Sequence, residues 1–277
     1  MDKSLKESLK KKLTKKELEI LPSSYDVVGD ILIFADFPKE LKKKEKVIAE
    51  KLLEMHKNVN VVCKKIGKYS GTYRTPKLKI IAGEKRKETT HKENNVRMSL
   101  NVENCYFSPR SSNERKRISE QVKNKESVLI MFSGVAPYPL VIAKNASPKE
   151  VYAIEINPRA HKYAEFNIKK NKLDDKIKLF KGDVRKTIPK LNKKFDRIAM
   201  PLPRSAGKFL DLAIKSVKKK GIIHFYDFLH EDQFDEAMAK IDAACKKTKK
   251  KYKILKLVKC GQFGPGIFRI CIDFRIN

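Results

Sequence analysis

Ser127-Val-Leu-Ile-Met-Phe132-Ser-Gly134-Val-Ala-Pro137-Tyr138 and, a little further on, Glu150-Val-Tyr-Ala-Ile-Glu155-Ile-Asn157 decide the fold. Each begins as a short, nearly continuous apolar run, which is how a strand buried on both faces reads. Each then breaks into a turn and a helical stretch, predicted near Pro137–Lys144 and Pro158–Lys170. The alternation continues: strands are predicted at Ser127–Ser133, Glu150–Ile156, Ile177–Asp183, Phe195–Pro201 and Gly221–Leu229, with helices at Arg185–Leu191 and Ala206–Val217. A helix at Asp232–Lys247 leads to two closing strands, Tyr252–Lys259 and Ile267–Ile276, joined by the turn Gly261–Gly266. Strands separated by helices imply an α/β fold with a parallel, doubly wound sheet. The last two, joined by a tight turn, have to be antiparallel, because parallel neighbours need a crossover.

Upstream the texture is different. Residues 1–20 are basic, with Leu5, Leu9, Leu13 and Leu18 at partial helical spacing, and read as a short helix or a mobile arm. Tyr25-Asp-Val-Val-Gly-Asp30-Ile-Leu-Ile-Phe34 reads as a turn and a strand, followed by a helix at about Lys39–His56. Further strands are expected at Val59–Lys65, Leu78–Ile81 and Val96–Val102, with Gly83–Lys92 a polar connection. The expected organisation is a basic segment (1–20), a small α+β domain (21–104) and the large α/β domain (105–277).

The chain carries 64 Lys and Arg against 33 Asp and Glu, a formal charge of +31. Such an excess favours a polyanionic partner through counterion release, and nucleic acid is the usual one for a soluble protein. A lysine-rich surface adapted to heat would bring extra Glu as well, and the acidic count is low. No run approaches the roughly 18 apolar residues of a membrane span, and the N-terminus lacks the apolar centre of a signal peptide. The five cysteines are scattered without a C-x-x-C pair, which favours a reducing cytoplasm over zinc or disulfides. No metal site is expected, and His224 and His230 read as structural or solvated.

In a doubly wound sheet ligands sit at the carboxyl ends of the strands. The loop after the first strand, Phe132, Ser133, Gly134, Val135 and Ala136, has one glycine for close backbone approach and is not a dinucleotide fingerprint. Glu155 stands 21 residues beyond Gly134 (155 − 134) at the next strand end, with Ile156 after it, where an acid accepts bonds from a ribose diol; a helix-capping carboxylate is the alternative. Asp183, followed by Val184, ends the third strand and can receive an adenine amino group, cap the next helix, or both. The fourth strand ends in Met200-Pro201-Leu202-Pro203, at a position that can hold a target base or simply stop a strand. Before the first strand, Tyr106-Phe-Ser-Pro-Arg110 and Glu114-Arg115 offer a ring to stack on an unpaired base beside a carboxylate able to take a proton. A capped, charged helix start is the plainer reading.

Together these residues resemble the archaeal and eukaryotic tRNA guanine-37 N1-methyltransferases and their wyosine-pathway relatives. The resemblance covers Leu21 to the C-terminus and rests on Tyr25-Asp-Val-Val-Gly-Asp30, Arg74, Tyr106-Phe-Ser-Pro-Arg110, Glu114-Arg115, Phe132-Ser-Gly134, Glu155-Ile-Asn-Pro158, Leu202-Pro203 and Ile272-Asp-Phe-Arg275. It implies a class I, Rossmann-like methyltransferase domain ending in an antiparallel hairpin, with S-adenosylmethionine as cofactor. Phe132–Ala136, Glu155, Ile156, Asp183, Val184 and Pro201 would hold the cofactor. The implied partner is the anticodon loop of tRNA at position 37, with no obligate protein partner evident. Arg74 would bind the guanine O6, Glu114 would take the N1 proton with Arg115 beside it, and Tyr106, Pro201, Leu202 and Pro203 would hold the base. N1 of guanine is protonated near neutral pH, so proton removal with charge stabilisation at O6 makes it nucleophilic.

Three departures stand out. Ile130 occupies the place of a usual Asp, Pro201 replaces an Asn, and the chain is too short for the tRNA-corner domain many members carry. The Pro-Leu-Pro variant resembles an archaeal branch linked to methylation of both N1 of guanosine and C7 of the wyosine precursor imG-14. Two other readings are an aminocarboxypropyl transferase using the same cofactor, which the prolines disfavour, and a non-catalytic RNA-binding protein on the same fold.

Overall fold

The computed structural model describes residues 4–67, 71, 73, 75–202 and 204–277. The chain divides into two compact units, Met1–Lys92 with Met98–Pro109, and Glu93–Arg97 with Arg110–Asn277.

The first unit begins with α1 (Leu5–Leu9) and α2 (Lys15–Glu19). Each opens with a reciprocal capping box: Ser4 with Glu7, and Thr14 with Glu17. These boxes satisfy amide donors that such short helices otherwise leave open. Residues 4–20 are therefore neither one helix nor a loose arm; Leu9 and Leu13 are buried in the same core as Leu32, Phe34, Ile48 and Leu52. That core lies under a four-stranded sheet in the order β1 (Tyr25–Val28), β2 (Ile31–Phe34), β3 (Val61–Lys65), β4 (Leu78–Gly83), packed with α3 (Glu45–Met55). The predicted helix at Lys39–His56 starts as a 3-10 segment, Lys39–Lys44, before α3.

The Gly29-Asp30 pair has a structural explanation. Gly29 turns β1 into β2 at φ 59°, and a Cβ there would fall 2.0 Å from Thr89 Oγ1. Asp30 accepts bonds from Arg86, Thr89 (2.6 Å) and Asn60 (3.0 Å). The Arg86 guanidinium, ahead of the other donors and against burial, holds this carboxyl well below the usual range. A strand missing from the sequence reading, β5 (Glu88–Glu93), occupies part of the expected polar connection and pairs with β6 (Val96–Asn101). Their turn is Asn94-Asn95, both at positive φ (41° and 64°), as a two-residue hairpin turn requires.

The second unit opens with α4 (Ser112–Gln121). It continues through β7 (Ser127–Met131), α5 (Pro137–Asn145), β8 (Glu150–Glu155), α6 (Pro158–Lys170), β9 (Ile177–Lys181), α7 (Val184–Lys190), β10 (Phe195–Met200), α8 (Leu210–Ser216), β11 (Val217–His230), α9 (Phe234–Lys247), β12 (Tyr252–Gly264) and β13 (Ile267–Ile276). The sheet order is β12-β13-β11-β10-β7-β8-β9. β9, β8, β7, β10 and β11 run parallel, β13 runs against them, and β12 pairs antiparallel with β13 and so returns to their direction. The doubly wound sheet with a terminal hairpin is thus as the sequence predicts. Chain direction across the sheet reverses between β7 and β10, which opens the crevice at their carboxyl ends.

Several boundaries shift. β11 starts at Val217, where a helix end was expected, and β12 runs to Gly264, which shortens the closing turn. β7 stops at Met131 because Phe132 takes φ 61°. Ile130 is fully buried, with Ala153 and Ala199 as strand neighbours. At that place an aliphatic side chain contributes about 1.5–3 kcal/mol through burial.

Candidate active site

The loop between β7 and α5 is shaped by its backbone. Phe132, Gly134 and Ala136 all have positive φ (61°, 58° and 70°). Sparsely populated conformations of this kind persist only where surrounding structure fixes them. The Ser133 amide donates to the Ile154 carbonyl (2.9 Å), the Ala136 amide to that of Ser133 (3.0 Å), and Asn167 Nδ2 to that of Val135 (3.1 Å). Ser133, Val135 and Ala136 are buried and Phe132 half-buried, its ring edge-on to Phe209.

Glu155 closes the loop from β8. Its carboxylate accepts the amides of Gly134 (2.6 Å) and Asn157 (2.7 Å), so backbone donors hold both oxygens. The side chain is buried, and burial pushes its pKa above the ordinary carboxylate range, an effect the amides only partly offset. Each oxygen retains acceptor capacity for a further donor. The helix-capping role considered for Glu155 belongs instead to Asn157, which receives the Arg159 and Ala160 amides at the start of α6. Ile156 is 40% exposed beside it. The Gly182 amide donates to the Glu155 carbonyl (2.9 Å), which brings the end of β9 alongside. Asp183 caps α7 through the Arg185 amide (2.8 Å), and Val184 is buried behind it.

Two features of these strand ends bear on what they could hold. Ser133 Oγ is buried without a hydrogen-bond partner, and Glu155 has a desolvated carboxylate without a cationic partner, both among the described residues. A ligand bearing hydroxyls and a polar heterocycle fits that donor and acceptor set.

After β10 the Leu202 amide donates to the Met200 carbonyl (2.7 Å), across Pro201. This is a three-residue turn centred on proline, whose ring presets the required φ. Pro203 and Arg74 lie outside the described residues.

Glu114, on α4, sits in a buried network built almost wholly of side chains. It accepts Tyr226 Oη–H (2.6 Å) and two guanidinium N–H groups of Arg117 (2.7 and 2.8 Å). Arg117 also donates to Asp273 (2.6 Å), and Asp273 bonds His224 Nδ1 (2.6 Å). Arg197 donates to His224 Nε2 (2.9 Å) and Glu126 (2.8 Å). His224 is therefore neutral, an Nδ1–H donor and Nε2 acceptor, and burial lowers its pKa. Burial works to raise Asp273, but the bonds from His224 and Arg117 outweigh it and hold that carboxyl far below the usual range. His224, Cys271 and Asp273 come within metal-ligand spacing. Both histidine nitrogens are nevertheless committed, and two guanidinium groups oppose a cation there.

Arg115, next to Glu114 on α4, forks onto Glu93 (2.5 and 2.6 Å), both side chains buried. Tyr106 belongs to the first unit, 45% exposed at the rim of a shallow pocket lined by Asp26, Val28, Lys65, Val102 and Phe107. The structure thus brings together Phe132–Ala136, Glu155 and Asp183 at one sheet edge, and Glu114 with Arg117 and Tyr226. Arg117 and Tyr226 were missed in the sequence, although Arg117 stands three residues from Glu114 on a helix, a spacing that places both on one face. Asn167 was also missed.

Residues 89–255 match the TRM5/TYW2 methyltransferase domain, and residues 5–86 the TYW2 N-terminal domain. The tRNA (guanine(37)-N(1))-methyltransferase Trm5b of Pyrococcus abyssi is 40% identical over 93% of the chain and 76% of its own length. The tRNA (guanine(37)-N(1))/4-demethylwyosine(37)-methyltransferase Taw22 of Nanoarchaeum equitans is 34% identical, over 90% and 98%. The solved complex of aTrm5 with tRNALeu superimposes with a TM-score of 0.85 at 35% identity, covering 99% of this chain and 78% of that one.

Proposed function

The chain belongs to the TRM5/TYW2 methyltransferase family, and from that premise we propose that it methylates N1 of guanosine 37 in tRNA, and C7 of imG-14 at the same nucleotide. S-adenosylmethionine supplies the electrophilic methyl group of its sulfonium. Glu155 would accept the ribose diol of that cofactor, and the observation that carries the reading is its buried carboxylate, fixed by backbone amides with acceptor capacity still open on its oxygens. Ser133 Oγ, buried without a partner among the described residues, lies in the neighbouring loop. Asp183 takes the adenine amino group, and the Phe132–Ala136 backbone, with Ile156 and Val184, shapes the rest.

Glu114 takes the N1 proton. Among the described residues, three of its roughly four acceptor positions are filled by Arg117 and Tyr226, and one on Oε2 is left for that proton. Arg74 stabilises charge developing on O6. Tyr106 offers its exposed ring to the extruded guanine, since the reacting nitrogen has to leave the stack to meet the methyl donor. Arg115 fixes the start of α4 through Glu93. The partner is the anticodon loop of tRNA; the +31 charge and the tRNA complex of a relative support it. No described helix is long and apolar enough to cross a membrane, and the five cysteines are free, which suits the cytoplasm.

The second activity rests on Pro201. The Pro201 turn presents a rigid apolar ring where an Asn would present an amide, so Pro201, Leu202 and Pro203 accept a tricyclic base whose polar edge differs from guanine. Incubation with labelled cofactor and unmodified tRNA, then nucleoside mass analysis, should show one methyl on guanosine 37. Transfer of an aminocarboxypropyl group, or no transfer, sinks the reading. With tRNA carrying imG-14, a methyl at C7 is expected, and its absence makes the enzyme monofunctional.

A further inference from the structure

The carboxyl end of β11 carries a feature the reaction above leaves unused. Met200, the last residue of β10, pairs with Phe225, so Phe228 stands three residues beyond the end of β10 (228 − 225) on the ligand side of the sheet. Pairing with β13 is unbroken from Ile222 to His230, so side chains alternate there and Tyr226 and Phe228 share a face. Glu114 meets that face at Tyr226. Against Phe228 lies Phe263, near the turn into β13, its ring centroid 4.7 Å away and tilted by 44°. Phe263 is 53% exposed, and the guanidinium carbon of Arg204, from the loop after β10, lies 5.3 Å from its centroid.

We propose that Phe263 and Arg204, braced by Phe228, form a stacking platform for the unpaired nucleobase next to the target nucleotide. This rests on the reading of the substrate as a tRNA loop. An exposed ring supported from behind by a second ring, with a guanidinium at its side, suits a base face and the phosphate attached to it. The need is specific to base extrusion: once guanosine 37 leaves the stack, its neighbour loses one covered face, and the platform covers it. Stacking is tolerant of base identity, so the platform reads position rather than sequence.

The test uses an anticodon stem-loop with 2-aminopurine placed in turn on either side of the target. Wild-type protein should change the probe's fluorescence at one of the two places. Phe263→Ala should abolish that change and weaken binding roughly 5-fold or more, as loss of one stacked base does. Phe263→Tyr should restore both, and Arg204→Ala should weaken binding to a lesser extent. No fluorescence change at either place, or Phe263→Ala binding and quenching like wild type, overturns the platform. An equal loss toward duplex RNA without a loop also overturns it. Methylation of guanosine 37 is assayed separately: a wild type that stacks the probe but transfers no methyl sinks the N1 reading and leaves the platform, and the converse result does the reverse.

Discussion

Two buried glutamates of the second unit are held in opposite ways. Glu155 rests on backbone amides from residues close to it along the sheet edge, and burial raises its pKa. Glu114 rests on side chains, Arg117 and Tyr226, the first of which is itself held by Asp273 from the last strand. The backbone-held site is set by local chain geometry, and among the described residues no cation balances it. The side-chain site is largely satisfied already, and its geometry depends on residues far apart in sequence.

The sharpest break of this contrast is Glu114→Gln. Single-turnover N1 methylation should fall about 100- to 10,000-fold, the usual cost of losing a general base, with tRNA affinity nearly unchanged. A near-normal rate would move the base elsewhere. Next is Asp273→Ala. It leaves His224 and Arg117 without their shared acceptor, so unfolding free energy should drop by about 3–5 kcal/mol, measured by urea denaturation. A loss below about 1 kcal/mol would mean the network is not a unit. Glu155→Ala should cost less, weakening S-adenosylmethionine binding by about 1.5–3 kcal/mol in calorimetry, the range for a hydrogen bond to a charged group. Unchanged affinity removes Glu155 from the cofactor site.

The smallest effect separates the two sites by sign. Asp273 has its pKa lowered on folding, so its contribution is present above its unfolded value of 3.8 and lost as pH falls below it. Glu155 has its pKa raised, so the folded state binds more protons and stability declines as pH rises above 4.5 toward the folded value. Urea midpoints of Asp273→Asn should therefore lose the acid-side drop, and those of Glu155→Gln the decline on the alkaline side of 4.5. If both variants change the same limb, the two environments are alike and the comparison fails.

The same division governs what the sequence discloses. The parallel sheet, its closing hairpin and the place of Glu155 follow from apolar runs and spacing, because neighbouring strand ends meet in space. The capping boxes at Ser4 and Thr14 and the Asn94-Asn95 turn were legible signals too. They went unread because basic and polar stretches resemble tails and connections when hydrophobic pattern alone is followed. The partners of Glu114 leave a weaker trace. Asp273 stands in a motif quoted from the sequence, yet its bond to Arg117 joins residues 156 apart in the chain. Nothing in strand or helix period foretells which side chains meet across a folded sheet. The Arg115–Glu93 pair is of the same kind, joining residues 22 apart in the chain.

β13 lies between β11 and β12, although it is the last of the three to be made. A ribosome adding about 5–20 residues per second needs roughly 8–30 s to pass from Arg117 to Asp273. Once Asp183 has been made, for the last 90 residues of that interval (273 − 183), the parts around Glu155 are all present, whereas Arg117 has Glu114 but still lacks its second acceptor, Asp273. A nascent chain thus completes its backbone-held carboxylate before its side-chain-held one, and the Glu114 network is the later of the two to settle.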